Sequence, residues 1–184
     1  MTTPAMTLPA FRHWLSLALV MCALLSGIGH ATDTPQSAPP ASNGPNVTAN
    51  DLDRIFRRSS LQIATPDARL HHFNIWIADD DQRRARGLMF IKQLKEDDGM
   101  LFIYPQPHPL AMWMKNTYVS LDMLFVGADG KVIRVVEKTE PLSLATIESG
   151  GPALAVVELP AGTAARLKIA RGAQVIHPAF TSAR

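Results

Sequence analysis

Gly-Met-Leu-Phe (99–102), Met-Trp-Met-Lys-Asn-Thr (112–117) and Leu-Asp-Met-Leu-Phe (121–125) lie within one stretch of the chain, and reading them decides the fold. Each run is apolar and of strand length, interrupted by a few polar residues that hydrophobicity alone would not place there. Met100 to Tyr104 is almost wholly apolar, as a strand covered on both faces or set in a barrel wall would be. Pro105, Pro107 and Pro109 predict that the chain then leaves the sheet, because proline has no N–H for a ladder. Strands are expected over Ala111–Thr117 and Leu121–Val126, with Asn116-Thr117-Tyr118 as the turn between them. Ala128-Asp129-Gly130 reads as a hairpin turn into Lys131–Glu137.

Working outward, Leu61–Ala64 reads as a short strand ended by Pro66-Asp67. Leu70–Ala78 alternates in strand fashion, with Phe73, Ile75 and Ile77 on one face and His72, Asn74 and Trp76 on the other. His71 and His72 point to opposite faces, so they cannot chelate one ion. Asp79-Asp80-Asp81 opens a short helix, with Arg83, Arg84 and Arg86 towards its end and Gly87 beyond it, matching the helix dipole and the usual stop. Downstream, Pro152–Leu159 is a strand, Pro160-Ala161-Gly162-Thr163 opens a second short helix, and Ala173–His177 is a last strand. No helix is long enough to cover a doubly wound parallel sheet. The class is therefore α+β: a single compact strand-rich domain with a mostly antiparallel, barrel-like sheet and two short helices.

The N-terminus sets the compartment. Arg12 and His13 precede an apolar run from Trp14 to Ile28, and Gly29-His30-Ala31 offers small residues for cleavage, the pattern of a secretory signal peptide. The run is short for a bilayer span and contains Ser16, Ser26 and Gly27, which favours cleavage over a stable membrane anchor. Cys22, the only cysteine, lies in the leader, and the bulky Met21 before it argues against lipidation. The mature chain is then exported, periplasmic or secreted, with no disulfide and no thiolate ligand. The formal charge of the full chain is +2, and loss of Arg12 leaves the domain near neutrality, so nucleic acid is not an expected partner. The expected organisation is a signal peptide (1–31), a Pro- and Ser-rich disordered linker and lead-in (32–60), one globular domain (61–178) and a short tail (179–184). Within the lead-in, Asp51–Arg58 has the spacing for a turn or two of helix, with Leu52, Ile55 and Phe56 on one face.

The alternating pattern places Asp122 beside Leu124 and Val126, and Glu158 beside Leu154 and Val156, each carboxyl on an otherwise apolar face. A buried carboxyl must be paired or take up a proton. Arg86 and Lys115 are the matching cations, and the expectation is that Arg86, Lys115, Asn116, Asp122 and Glu158 converge beside Trp113. The competing structural explanation is an ion pair that fixes strand register.

These residues also carry a resemblance. Arg-Gly-Leu-Met (86–89), Gly-Met-Leu-Phe (99–102), Trp-Met-Lys-Asn-Thr (113–117), Leu-Asp (121–122), Asp-Gly (129–130) and Glu-Leu-Pro-Ala-Gly (158–162) occur in the order of the domain of unknown function 192 family. The resemblance covers about Leu61 to His177 and implies a small, strand-rich α+β domain, often exported, with no settled activity. Met112 and Ser120 depart from the family pattern, where an aromatic residue and a proline are usual.

The residues favour binding over catalysis. An indole platform ringed by donors and acceptors suits a small polar or glycan ligand, mixed charge suits a sugar or zwitterion better than a phosphate, and no Gly-rich phosphate cradle is present. An envelope interaction protein with no pocket is the second reading. Asp122 and Glu158 as the acid and base of a carboxylate hydrolase is the third; no catalytic residue is otherwise assigned. Cu(I) binding through His108, Met112 and Met114, soft thioethers expected on one strand face, is the fourth. No cofactor is expected.

Overall fold

A computed structural model describes residues 47–180. The expected leader with Cys22, the linker over 32–46 and the last residues of the tail lie outside the described residues. Helix α1 (Ala49–Ile55) leads into strand β1 (Arg57–Ala64), followed by β2 (Leu70–Ala78), helix α2 (Asp81–Arg86) and β3 (Asp98–Met112). Then come β4 (Leu121–Val126), β5 (Val132–Val136), β6 (Ile147–Pro160), helix α3 (Thr163–Leu167) and β7 (Gln174–Ile176).

The seven strands form one sheet in the order β5-β4-β6-β3-β2-β1-β7. Every pairing is antiparallel except β2 with β3, which α2 connects. The two edges of the sheet meet: Val132 N–H donates to Ala173 (2.9 Å), Gly172 N–H to Val132 (2.8 Å) and Val175 N–H to Gly130 (2.8 Å). The sheet is thus nearly closed, which removes the exposed edges that invite pairing with another chain.

Closure gives the sheet an inside and an outside, and period-2 alternation sorts the side chains between them. All seven strands send apolar residues inward, among them Leu61, Ile75, Leu101, Leu124, Val132, Val157 and Val175. The outer face of β2, β3, β4 and β6 carries a second core of Trp76, Met100, Phe102, Met123, Phe125 and Val156. It is covered by α1, by the segment after α2 and by the loop holding Met114.

β6 begins at Ile147 and not at the expected Pro152, and three further boundaries differ from the sequence reading. The packed domain begins before Leu61: Leu52 and Phe56 are buried, and α1 and β1 occupy residues expected to be a lead-in. A polar cluster fixes them. Trp76 Nε1 (2.8 Å) and Arg58 Nε (2.7 Å) both donate to Asp53 Oδ1, and the Arg58 guanidinium stacks on the Trp76 indole at 3.8 Å. These two hydrogen bonds, that from Trp76 first, hold the Asp53 carboxyl below the usual aspartate range.

Secondly, the chain does not leave the sheet at the prolines. β3 runs unbroken to Met112, but its register on β6 slips between Ile103 and His108. Residues 104–107 face no ladder partner, so Pro105 and Pro107 forfeit no hydrogen bond there. Thirdly, 113–117 is a turn and not a strand. Asn116 takes φ 56°, Thr117 N–H donates to Met114 (3.0 Å), and Met114 N–H donates to Ser143 (3.0 Å). α1 is a third short helix where two were expected.

Gly99 shows how tightly β3 meets β6. A Cβ there would lie 2.6 Å from the Glu158 carbonyl oxygen and 2.8 Å from Leu159 Cδ2. Gly99→Ala is expected to cost roughly 2 kcal/mol, in the range of overpacked cores, measured by urea unfolding. An unchanged midpoint would show that the two strands can part without cost.

Candidate functional site

Glu158 sits on β6 between Met100 of β3 and Met123 of β4, its cross-strand partners. It therefore faces the outer core and is only 4% exposed. Its surroundings form a cavity of about 250 Å³. Arg84 and Arg86 of α2, Tyr104 and Met112 of β3, and Trp113 and Lys115 of the following turn share its lining with Glu158.

Each side chain has an identifiable cause for its place. Arg84 lies in the last turn of α2, and its side chain, 11% exposed, turns inward. It donates to the Ile103 carbonyl (2.6 Å) and to Asp81 (2.6 Å), with its guanidinium 5.0 Å from the Tyr104 ring. Arg86 braces the chain reversal after α2 by donating to the Met89 carbonyl, and its guanidinium lies 5.2 Å from the Phe90 ring. The Tyr104 hydroxyl reaches Met112 Sδ at 3.7 Å. Lys115 Nζ lies 5.2 Å from the Trp113 ring, and that indole is 52% exposed.

Among the described residues the Glu158 carboxyl has no ion-pair partner and no hydrogen bond, and neither Arg86 nor Lys115 is in a salt bridge. Burial without a counter-charge disfavours the carboxylate, and it pushes the Glu158 pKa from 4.5 up to about 8. The acid is neutral at pH 7 and presents an O–H donor. Burial likewise raises Tyr104, with the nearby Arg84 charge opposing and Glu158 reinforcing the shift.

The structure therefore brings Arg86, Trp113, Lys115 and Glu158 to one cavity. Asn116 stands behind it: its carbonyl accepts from Phe90 N–H (2.8 Å) and its Nδ2 contacts Met89 Sδ (3.8 Å), so it ties the turn to the reversal after α2.

Asp122 is not part of the group. It is paired with Leu159 while Glu158 is paired with Met123, so the two carboxyls leave the sheet on opposite faces. Asp122 is fully buried on the inner side, where it accepts from Lys138 N–H (2.8 Å), Gly162 N–H (3.1 Å) and Ala164 N–H (2.8 Å). The expected partner for this carboxyl existed, but it was backbone and not a cation. Gly162, at φ 84°, caps α3 without a side chain of its own, and Asp122 supplies the missing acceptor. Asp122 and Glu158 therefore do not line one cavity, as the acid and base of one hydrolytic site would.

The methionine arrangement changes for a similar reason. Strand alternation stops at Met112, and Met114 is buried in the turn with the Thr139 hydroxyl on its sulfur at 3.2 Å. The His108 ring lies edge-on to Tyr104, with Nδ1 at the Gln106 carbonyl (3.0 Å). Tyr104 and Arg84 escaped the sequence reading, although a signal for Tyr104 was present. Met100, Phe102 and Tyr104 alternate onto the Glu158 face.

Fold and site together define a class: a small, nearly closed β-barrel domain with a polar cavity on its outer face. The chain belongs to the DUF192 family, described as "Uncharacterized ACR", which matches residues 62–177. No curated protein sequence matches the chain. Two solved structures are similar. One is from Sinorhizobium meliloti 1021, described as a candidate transcription regulator, at 37% identity and TM-score 0.66 over 67% of this chain and 96% of that one. The other is a protein of unknown function from Novosphingobium aromaticivorans DSM 12444, at 32% identity and TM-score 0.64 over 66% of this chain and 86% of that one.

Proposed function

We propose that this chain is an exported domain that binds a small polar or glycan ligand in the cavity formed by Arg86, Trp113, Lys115 and Glu158. Export rests on the leader pattern of residues 1–31. Binding rests chiefly on one observation. A buried acid and two cations line the same cavity, yet the acid forms no ion pair with either. A structural ion pair would have closed that contact, since an uncompensated buried polar group costs stability. Groups left unpaired around a cavity are available to a ligand. The cavity is smaller than the roughly 300–1,000 Å³ typical of drug-sized ligands, which favours a single sugar ring over an oligosaccharide.

Among the described residues the longest helix has seven residues, too short for the reading helix of a helix-turn-helix.

Trp113 provides the test, because it is exposed whereas Trp76 is buried. Titration with monosaccharides is expected to change the tryptophan emission, and Trp113→Phe to abolish the change. Emission that stays constant across neutral, acidic and amino sugars would defeat the proposal.

A further inference from the structure

Resting on that reading, we infer that the cavity selects a cyclic organic carboxylate, a hexuronate-type sugar, seating its carboxylate between Lys115 and Arg86 with its ring on the Trp113 indole and the Glu158 carboxyl donating a hydrogen bond to it.

Three observations carry the inference. First, the lining charges are unbalanced. Arg84 is committed to Asp81 (2.6 Å), while Arg86 and Lys115 have no carboxylate partner among the described residues. A Glu158 with no cation in contact is neutral by desolvation, so the two free cations set the sign and an anion restores balance. Secondly, the apolar platform is adjacent to the charge. Lys115 Nζ lies 5.2 Å from the Trp113 ring, so a ligand ring on the exposed indole brings its own carboxylate within reach of that ammonium. Thirdly, a phosphate is the weaker fit. The backbone around the cavity is already engaged, Gly87 N–H donating to Arg83 (2.9 Å) and Met89 N–H to Arg86 (3.3 Å), so no row of free amides faces it.

The groups facing Glu158 are Arg84 and Arg86 from α2, Tyr104 from β3 and Lys115 from the turn, while β4 sends its carboxyl, Asp122, to the opposite face. Once Glu158 ionises, its charge opposes that of the ligand. Affinity is therefore expected to fall above about pH 8.

Calorimetric titration of the purified protein at pH 6 with D-glucuronate, its methyl ester, D-glucose, D-glucosamine and inorganic phosphate tests this. Glucuronate is expected to bind at least about tenfold more tightly than the ester, glucose or phosphate, and Lys115→Ala to weaken it by about tenfold or more, the scale of one lost charge contact. Raising the pH to 9 is expected to weaken glucuronate binding to the wild type by about tenfold or more, and Glu158→Gln to flatten that dependence. If glucose or glucosamine binds as well as glucuronate while Trp113→Phe still abolishes the emission change, the anion inference fails and the ligand-binding reading stands. Phosphate binding that equals glucuronate overturns the carboxylate class. The absence of both heat and emission change with all five probes overturns both.

Discussion

Asp122→Ala lowers the unfolding free energy by roughly 4 kcal/mol, the largest loss expected of any single polar substitution in this domain. The substitution strips three backbone N–H groups of their acceptor at once: Lys138 after β5, Gly162 at the α3 cap and Ala164 in its first turn. The Ala164 donor is buried and the other two are part-buried, so the penalty includes stranded donors and not only lost bonds. Asp122→Asn is milder, at roughly 2 kcal/mol, because one amide oxygen still serves Lys138 and Gly162 while the new NH2 meets the Ala164 N–H. Chemical denaturation of both variants, with hydrogen exchange at Ala164, measures the effect. A loss below 1 kcal/mol for the alanine variant would show that α3 does not depend on this carboxyl.

Glu158→Gln is expected to act in the opposite direction and to stabilise the domain near neutrality. The folded-state pKa of about 8 lies above the ordinary 4.5, so the acid is protonated in the fold over a range where the unfolded chain releases its proton. The unfolded state then binds fewer protons, and stability falls as pH rises. The full contribution of the neutral acid is present below pH 4.5, declines between pH 4.5 and 8, and is gone above that window. By pH 7 the accumulated penalty reaches about 3 kcal/mol at 1.36 kcal/mol per pH unit. Glutamine never ionises and so removes this slope, but it still buries an amide that needs partners, so the net gain at pH 7 is about 2 kcal/mol. Denaturation midpoints of both proteins from pH 4 to 9 test this. Parallel profiles would mean that Glu158 is ionised in the folded protein and has a partner.

The two carboxyls show how far sequence reasoning reached. Strand periodicity placed both on apolar faces, and both are buried. It gave no means of telling which face of the sheet each one occupied, because facing depends on register between strands distant in sequence. The pairing of Met123 with Glu158, and so of Asp122 with Leu159, sends one carboxyl to the barrel interior and the other to the outer cavity. The turn at 113–117 was misread as strand because its apolar Met and Trp residues satisfy the same alternation. What ends the strand is the hydrogen bonding of Met114 and Thr117 to the 142–143 loop, a contact invisible to local pattern. Likewise Pro105 and Pro107 of β3 broke no ladder, because the slip against β6 had already removed the partners they would have lacked.

By itself, the sequence determined the strand-rich class, the position of β4, the helix opened by Asp80 and closed by Gly87, the hairpin at 128–130 and the family pattern. All of these depend on contacts within a few residues or on a period of two, which side-chain chemistry and backbone sterics impose locally. Tertiary structure alone decided the closure of the sheet, the depth of α1 in the fold and the assembly of Arg86, Trp113, Lys115 and Glu158 without Asp122. Those outcomes follow from register and from which surfaces cover one another, and both are fixed by burying the two apolar faces of the sheet at the same time.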